Sequence, residues 1–232
     1  LDPSSELRRD TALADAKGLA SRFNELSHQL QLIDDETRNQ LSYKVNEFNA
    51  LTDQLAVINQ KLLRQSDLKR QPPDLLNSRD QVLVELSKNF RLSVEQSSNG
   101  IVSVSLGKNS DGVKVVDGSS AKQLGIEYKA TTSPAEAILV LDAFGDRQDL
   151  SGLTGVGGEL GGLLQFRTSV LAPSVDNLNS LAATVSNEVN SVLSGGMDIY
   201  GNKGGPLFDT PLVFSADVKN TASNLGVSIQ VT

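Results

Sequence analysis

Residues 41–62 read LSYKVNEFNALTDQLAVINQKL, and their apolar positions decide the fold. Leu41, Val45, Phe48, then Leu51 or Thr52, Leu55, Ile58 and Leu62 recur at steps of three and four, which puts them on one face of an α-helix. Working back toward the N-terminus, Leu19, Phe23, Leu26, Leu30 and Ile33 form a second such seam. The two seams do not share one heptad register, and the shift falls near Asp34-Asp35-Glu36. Such a shift marks either a stutter in one helix or a break with an aspartate capping a second helix. From Ser5 to Arg64 there is no proline and only one glycine, Gly18, so the reading favours one helix of roughly 60 residues, about 90 Å long at 1.5 Å per residue. A helix of that length is stabilised by packing its apolar stripe rather than by its own backbone, so partners must exist.

Downstream, Pro72-Pro73-Asp74 ends one element and opens another, with Asp74 as the expected N-cap and Leu75, Leu76, Val82, Leu83 and Leu86 as the apolar face of a helix to about Asn89. From Arg91 the period changes to two. Leu92 and Val94, then Ile101, Val104 and Leu106, alternate with polar neighbours around the hairpin signal Asn99-Gly100. Asp111-Gly112 and Asp117-Gly118 mark further turns, and Ala137–Leu141 reads as a buried strand. The helical period returns at Gly158 and continues through Leu160, Leu163, Leu164, Val170, Leu171, Leu178, Leu181, Val185, Val189 and Val192, with a kink expected at Pro173. After the glycine-rich turn at 195–205, Leu212–Phe214 and Val227–Val231 read as strands. The expected fold is α+β: an elongated bundle of long antiparallel helices with small antiparallel β domains attached. Residues 1–90 and 156–196 would form a discontinuous helical rod, and 91–155 with 197–232 the β part. A chain that stops in a strand is expected to be an excised fragment.

Composition removes several classes of function. The 232 residues carry 21 basic and 28 acidic side chains, a formal net charge of −7. That balance opposes binding to nucleic acid, which depends on cationic surface, and docking on an acidic membrane leaflet. No stretch approaches the roughly 20 apolar residues of a membrane span. Leu1–Asp10 lack the basic, apolar, small-residue layout of a cleavable signal peptide. With no cysteine there is no disulfide framework, no thiol nucleophile and no thiolate metal cluster.

Three segments invite a chemical reading. Gly155-Val156-Gly157-Gly158-Glu159-Leu160-Gly161-Gly162 resembles a phosphate loop, yet a dinucleotide turn counted from Gly155 needs glycine where Leu160 stands. A P-loop would need lysine after its last glycine, and Leu163 follows Gly162. The segment reads instead as a joint that lets a helix pack closely. Asp198–Gly205 lacks the oxygen-bearing spacing and terminal glutamate of a calcium loop and reads as a turn. His28 is the only histidine and sits one position outside the first seam, on a solvated helix face. The carboxylate pairs Asp34/Asp35 and Glu6/Asp10 lie on stretches too polar to raise a pKa by desolvation. Catalytic, cofactor-binding and metal-ligating residues are therefore none, and no enzyme is expected.

Four blocks carry a resemblance. They are Asp2-Pro3-Ser4-Ser5 leading to Arg9, Ala16, Leu19 and Phe23; Val45-Asn46-Glu47 through Ile58-Asn59-Gln60-Lys61; Pro73-Asp74-Leu75-Leu76-Asn77-Ser78-Arg79-Asp80-Gln81-Val82; and Gly158–Leu164 with Phe166-Arg167, followed by Gly196-Met197-Asp198, Gly201–Gly204 and Leu207-Phe208. In this order they resemble the flagellar hook-associated protein 1 family, which forms the junction between hook and filament. Asn77, Leu207 and Pro73 depart from the family's usual Asp, Phe and Asn. The resemblance implies a structural subunit exported through the flagellar type III apparatus to the outside of the cell. Its implied partners are the hook protein, the second hook–filament junction protein, copies of itself in a ring, and an export chaperone bound to a C-terminal region. The isolated segment is expected to be monomeric.

The same plan of long helices also fits flagellin or the second junction protein, from which the Arg79-Asp80 and Gly158–Arg167 blocks separate it. A coiled coil with a β binding head is the rival of another class. It would need an exposed apolar or aromatic patch on the β unit, and only seven Phe and three Tyr are available.

Overall fold

The computed structural model describes residues 6–65, 71–107, 112–129, 132–143, 145–151, 155–198, 201–209 and 221–228. Helix α1 runs unbroken from Glu6 to Leu63, through the phase shift at 34–36. Helix α2 spans Pro73–Asn89. Seven strands follow: β1 Leu92–Gln96, β2 Val102–Leu106, β3 Val113–Asp117, β4 Ser120–Ala121, β5 Gln123–Lys129, β6 Glu136–Ala143 and β7 Asp146–Asp149. Helix α3, Gly158–Phe166, passes through a π-helical turn, Arg167–Leu171, into α4, Ala172–Ser194. The short strands β8 Phe208–Asp209 and β9 Gly226–Val227 pair antiparallel. The helix-and-antiparallel-sheet composition is the α+β class expected. The strand read at Leu212–Phe214 and the residues Ile229–Val231 lie outside the described residues.

The chain divides into two compact units, Glu36–Ser169 and Leu1–Asp35 with Val170–Thr232. Each contains helix and strand.

In the Glu36–Ser169 unit, one antiparallel sheet has the order β1-β2-β3-β4 and a second the order β5-β6-β7. Asn99-Gly100 turns β1 into β2 as read, with Gly100 at φ 81° and its N–H donating to Ser97 O. Asp117-Gly118 turns β3 into β4, with Gly118 at φ 59°. The second seam is buried throughout: Leu41, Val45, Phe48, Thr52, Leu55, Ile58 and Leu62, with Thr52 rather than Leu51 completing it. Its cover comes from strands as well as helices. Val82, Leu86 and Phe90, Leu160, and the strand residues Val102, Val104, Leu106, Val115, Val116, Leu124, Leu139 and Leu141 share one core with it. The Phe48 and Phe90 rings meet edge to face, with centroids 4.7 Å apart.

In the other unit the first seam is covered in its middle, with Phe23 buried and Leu26 and Leu30 half-buried. Ala16, Ala20 and Phe23 are buried, while Leu19 and Ile33 are exposed. The buried set shares its core with Leu178, Ala182, Val189, Phe208, Ala222 and Leu225. On α4, Leu181 and Val192 are likewise exposed, and the buried face runs through Asn179, Ala182 and Ser186.

One local expectation is corrected. Asp74 is not the N-cap of α2: Pro72 occupies that position in extended backbone, Pro73 is the first helical residue, and the Pro72 carbonyl accepts from the Leu75 and Leu76 N–H groups. Proline suits the first helical position because its missing N–H would have no partner there anyway. Just ahead of Pro173, where the sequence predicts a kink, the helix widens into the π-helical turn Arg167–Leu171. Proline removes one i→i−4 bond and crowds the carbonyl four residues back, and the π-turn ahead of it takes up the disturbance.

Candidate functional site

The positions singled out for chemistry do not converge. His28 is exposed on α1, as are Glu6, Asp10 and Asp35, while Asp34 is half-buried. Among the described residues no three His, Cys, Asp or Glu side chains come together as metal ligands would. The Asp198 carboxylate is occupied within its own turn, accepting from the Asn202 backbone N–H and from Asn202 Nδ2, both at 2.8 Å. Among the described residues no helix is long and apolar enough to cross a membrane.

The glycine segment does what a close-packing joint requires. Gly157 and Gly158 adopt φ of 61° and 59°. A Cβ on Gly158 would lie 2.0 Å from the Asn89 carbonyl oxygen at the end of α2. The start of α3 is therefore pressed against the end of α2. The Val156 carbonyl accepts from the Arg91 N–H, tying the joint to the start of the first sheet.

Several buried and half-buried polar side chains among the described residues attach helix to strand. Asn59, fully buried on α1, accepts from the Val102 N–H and donates through Nδ2 to the Val102 and Gly118 carbonyls. Three turns nearer the N-terminus, Asn49 accepts from the Leu124 N–H and donates to the Leu124 carbonyl, both at 2.8 Å. The two carboxamides act like extra strand residues on a helix, one bonding to each sheet. The other unit repeats the device. Asn190 on α4 accepts from the Leu207 and Phe208 N–H groups and donates to the Phe208 carbonyl, and Asn179 accepts from the Ala222 N–H.

These asparagines were missed in the sequence, although a signal was present. Asparagine is unfavourable inside a helix, yet Asn49 and Asn59 stand one turn after Val45 and Leu55 on the apolar face. A polar residue there needs a buried partner.

Arg79 and Gln71 hold the β1–β2 turn in the same manner. Arg79 donates to the Gly100 carbonyl at 2.7 Å while its guanidinium pairs with Asp80, and Gln71 donates to the Asn99 carbonyl at 2.7 Å.

A groove of about 700 Å3 lies beside α1 and α3, lined by Asn39, Gln40, Tyr43, Lys44, Glu159, Gly162 and Leu163. At its floor Lys44 pairs with Glu159 at 2.6 Å and with Glu47 at 3.0 Å. The hydrogen bond to Glu159, and then the bond and charge of Glu47, hold the ammonium above its ordinary range against the opposing effect of burial. On β7, which is exposed along its length, Asp149 is held below the usual carboxylate range by the Ser151 N–H and by Lys129. Both arrangements stabilise a charged group in place. Neither sets up a proton donor or acceptor poised for transfer.

Comparison with known proteins agrees with a framework built for attachment. The family described as the flagellar hook-associated protein FlgK helical domain matches residues 1–208. Flagellar hook-associated protein 1 of Salmonella typhimurium is 28% identical over 219 residues, covering 92% of this chain and 38% of that protein. The Escherichia coli K12 protein of the same name is 24% identical over 233 residues, covering 100% of this chain and 41% of its own length. Among solved structures, the flagellar hook junction protein FlgK from Burkholderia pseudomallei superposes with a TM-score of 0.77 at 30% identity, over 89% of this chain and 37% of that one. The chain thus spans about two fifths of the relatives it matches.

Proposed function

Because this chain belongs to the flagellar hook-associated FlgK helical-domain family, we propose that its parent protein is a structural subunit of the bacterial flagellum that joins hook to filament. The observation that carries this reading is the match of the family across residues 1–208, together with a fold that follows a hook junction protein over 89% of the chain. The attachment chemistry supports it. A subunit in a mechanical assembly needs helices and sheets fixed to one another, and the asparagine latches do that without any reacting group.

On this reading the protein leaves the cell through the flagellar type III apparatus and works outside it. Its partners are the hook protein, the second junction protein and copies of itself in a ring, with a chaperone before export. The helical segments 1–90 and 156–196 are the rod-forming part, and 91–155 with 197–232 the β part. No catalysis is assigned to it.

The test is complementation of a motile bacterium lacking its own first junction protein, using the full-length parent gene that carries this segment. Filaments restored on existing hooks are expected. Bare hooks, with the protein exported and stable, would overturn the assignment and turn attention to flagellin or the second junction protein.

A further inference from the structure

The polypeptide crosses the boundary of the Glu36–Ser169 unit twice, at Asp35/Glu36 within α1 and at Ser169/Val170 within the π-turn. Both crossings are poor in apolar anchorage. From Gln31 to Gln40 the one fully buried residue of α1 is Thr37, and Leu32 and Ile33 are exposed. From Gly161 to Val170 the one buried residue is Arg167, at 3% exposure. Helical segments with so few buried contacts open locally at low free-energy cost unless something else holds them.

One group that reaches both crossings is the ring of Tyr128. Tyr128 lies near the end of β5, paired with Ala137 of β6. The Arg38 guanidinium of α1 sits 4.3 Å from its centroid, and the Arg167 guanidinium of the π-turn 5.6 Å from it. Both are within the range in which a cation is drawn to an aromatic face, an attraction that strengthens when the pair is removed from water. Arg167 is further fixed by donating from Nη2 to the Ala135 carbonyl at 2.9 Å, two residues before the pairing partner of Tyr128. The helical turn at this crossing keeps further bonds of its own, with Thr168 Oγ1 donating to the Leu164 and Gln165 carbonyls. The clamp lies wholly inside the Glu36–Ser169 unit, two residues from each crossing.

We infer that Tyr128 is a shared clamp: by holding Arg38 and Arg167 on one ring, it suppresses local opening of both helical crossings and sets their stiffness together. An independent anchor at each crossing would leave the two segments free to open separately. One shared ring couples them.

Native-state hydrogen exchange on the full chain tests this, read at the amides of 33–40 and 163–171 and, as an internal control, at β2 and β3. Tyr128→Leu keeps an apolar side chain but removes the ring face. It should speed exchange at both crossings by about 5- to 30-fold and leave β2 and β3 unchanged. Tyr128→Phe keeps the ring face and should stay within about twofold of the parent chain. Arg38→Met, which retains the aliphatic stem, should speed exchange most in 33–40 and, because the ring is shared, measurably in 163–171 as well. Three results would overturn the proposal: unchanged protection in Tyr128→Leu, faster exchange at one crossing only, or Tyr128→Phe behaving like Tyr128→Leu. Should Tyr128→Leu lose its folded circular dichroism, Arg38→Met and Tyr128→Phe decide the question between them.

Discussion

The two compact units bury different materials. Glu36–Ser169 encloses a core of Leu, Val, Ile and Phe drawn from three helices and two sheets, with the Phe48–Phe90 pair among its fully buried side chains. The unit made of Leu1–Asp35 and Val170–Thr232 buries, among its described residues, Ala16, Ala20, Ala182 and Ala222 around Phe23, Phe208 and Leu225. Apolar stabilisation scales with area removed from water, and an alanine brings far less than a leucine. One long helix thus serves a deep core along its second half and a shallow one along its first. Both units use asparagine latches, so the larger share of the difference in stability should come from the apolar cores.

The strongest way to break that comparison is to empty each core at its aromatic. Phe48→Ala removes a fully buried ring and its edge-to-face partner contact, at a cost of about 3–5 kcal/mol to the Glu36–Ser169 unit. Phe23→Ala should cost less, because a core bordered by alanines has less packed contact to lose. Thermal unfolding, followed by hydrogen exchange in each unit, should show the alanine-lined unit opening first. Phe23→Ala should move only that opening, and Phe48→Ala the later one. A single transition shifted equally by both substitutions would mean the units melt as one body, and the contrast between cores would carry no consequence.

A finer test uses the latch that the units share. Asn59→Ala leaves the buried Val102 N–H and carbonyl, and the half-buried Gly118 carbonyl, without their partner, at a cost of about 1–3 kcal/mol. Asn190→Ala removes as many bonds at a half-buried position, where water can replace the carboxamide, so its cost should stay below about 1 kcal/mol. Chemical denaturation of the two variants ranks them. Equal losses would show that water reaches neither site, and that the alanine-lined core is as dry as the other.

How much of this was legible depends on how local its cause is. The seam at 41–62 was readable because large apolar residues at helical spacing are buried wherever a deep core meets them. The seam at 19–33 was readable only in its middle, at Phe23, Leu26 and Leu30. The positions buried there include Ala16 and Ala20, whose weak hydrophobicity does not stand out beside exposed Leu19 and Ile33. The hairpin at Asn99-Gly100 and the close glycine joint at 157–158 were legible from residue type, since positive φ is a property of a few residues. The latches were not. Asn49 and Asn59 bond to backbone 75 and 43 residues away, and no local pattern names such a partner. The clamp at Tyr128 was hidden for the same reason, with its two arginines on separate helices.

The smallest effect expected is an electrostatic one, and it belongs to the deeper unit alone. Lys44 draws its raised pKa first from Glu159 and then from Glu47. A base whose folded pKa exceeds its unfolded value, here 10.5, binds its proton more tightly when folded. Its contribution is therefore fully present below about pH 10.5 and is lost as pH rises through the folded value. The Glu159 side chain is 60% exposed, so water and salt weaken the pair and the contribution stays modest. In the shallower unit the pair Arg22–Glu25 is a solvated i,i+3 contact with both partners more than half exposed, and it should add little at any pH. Urea denaturation from pH 8 to pH 11.5 reads the difference between the parent chain and Lys44→Met. That difference should shrink across the alkaline range in the Glu36–Ser169 transition and not in the other. A difference that stays constant with pH would mean that Lys44 acts by packing its stem between α1 and α3, with the charge pair contributing nothing measurable.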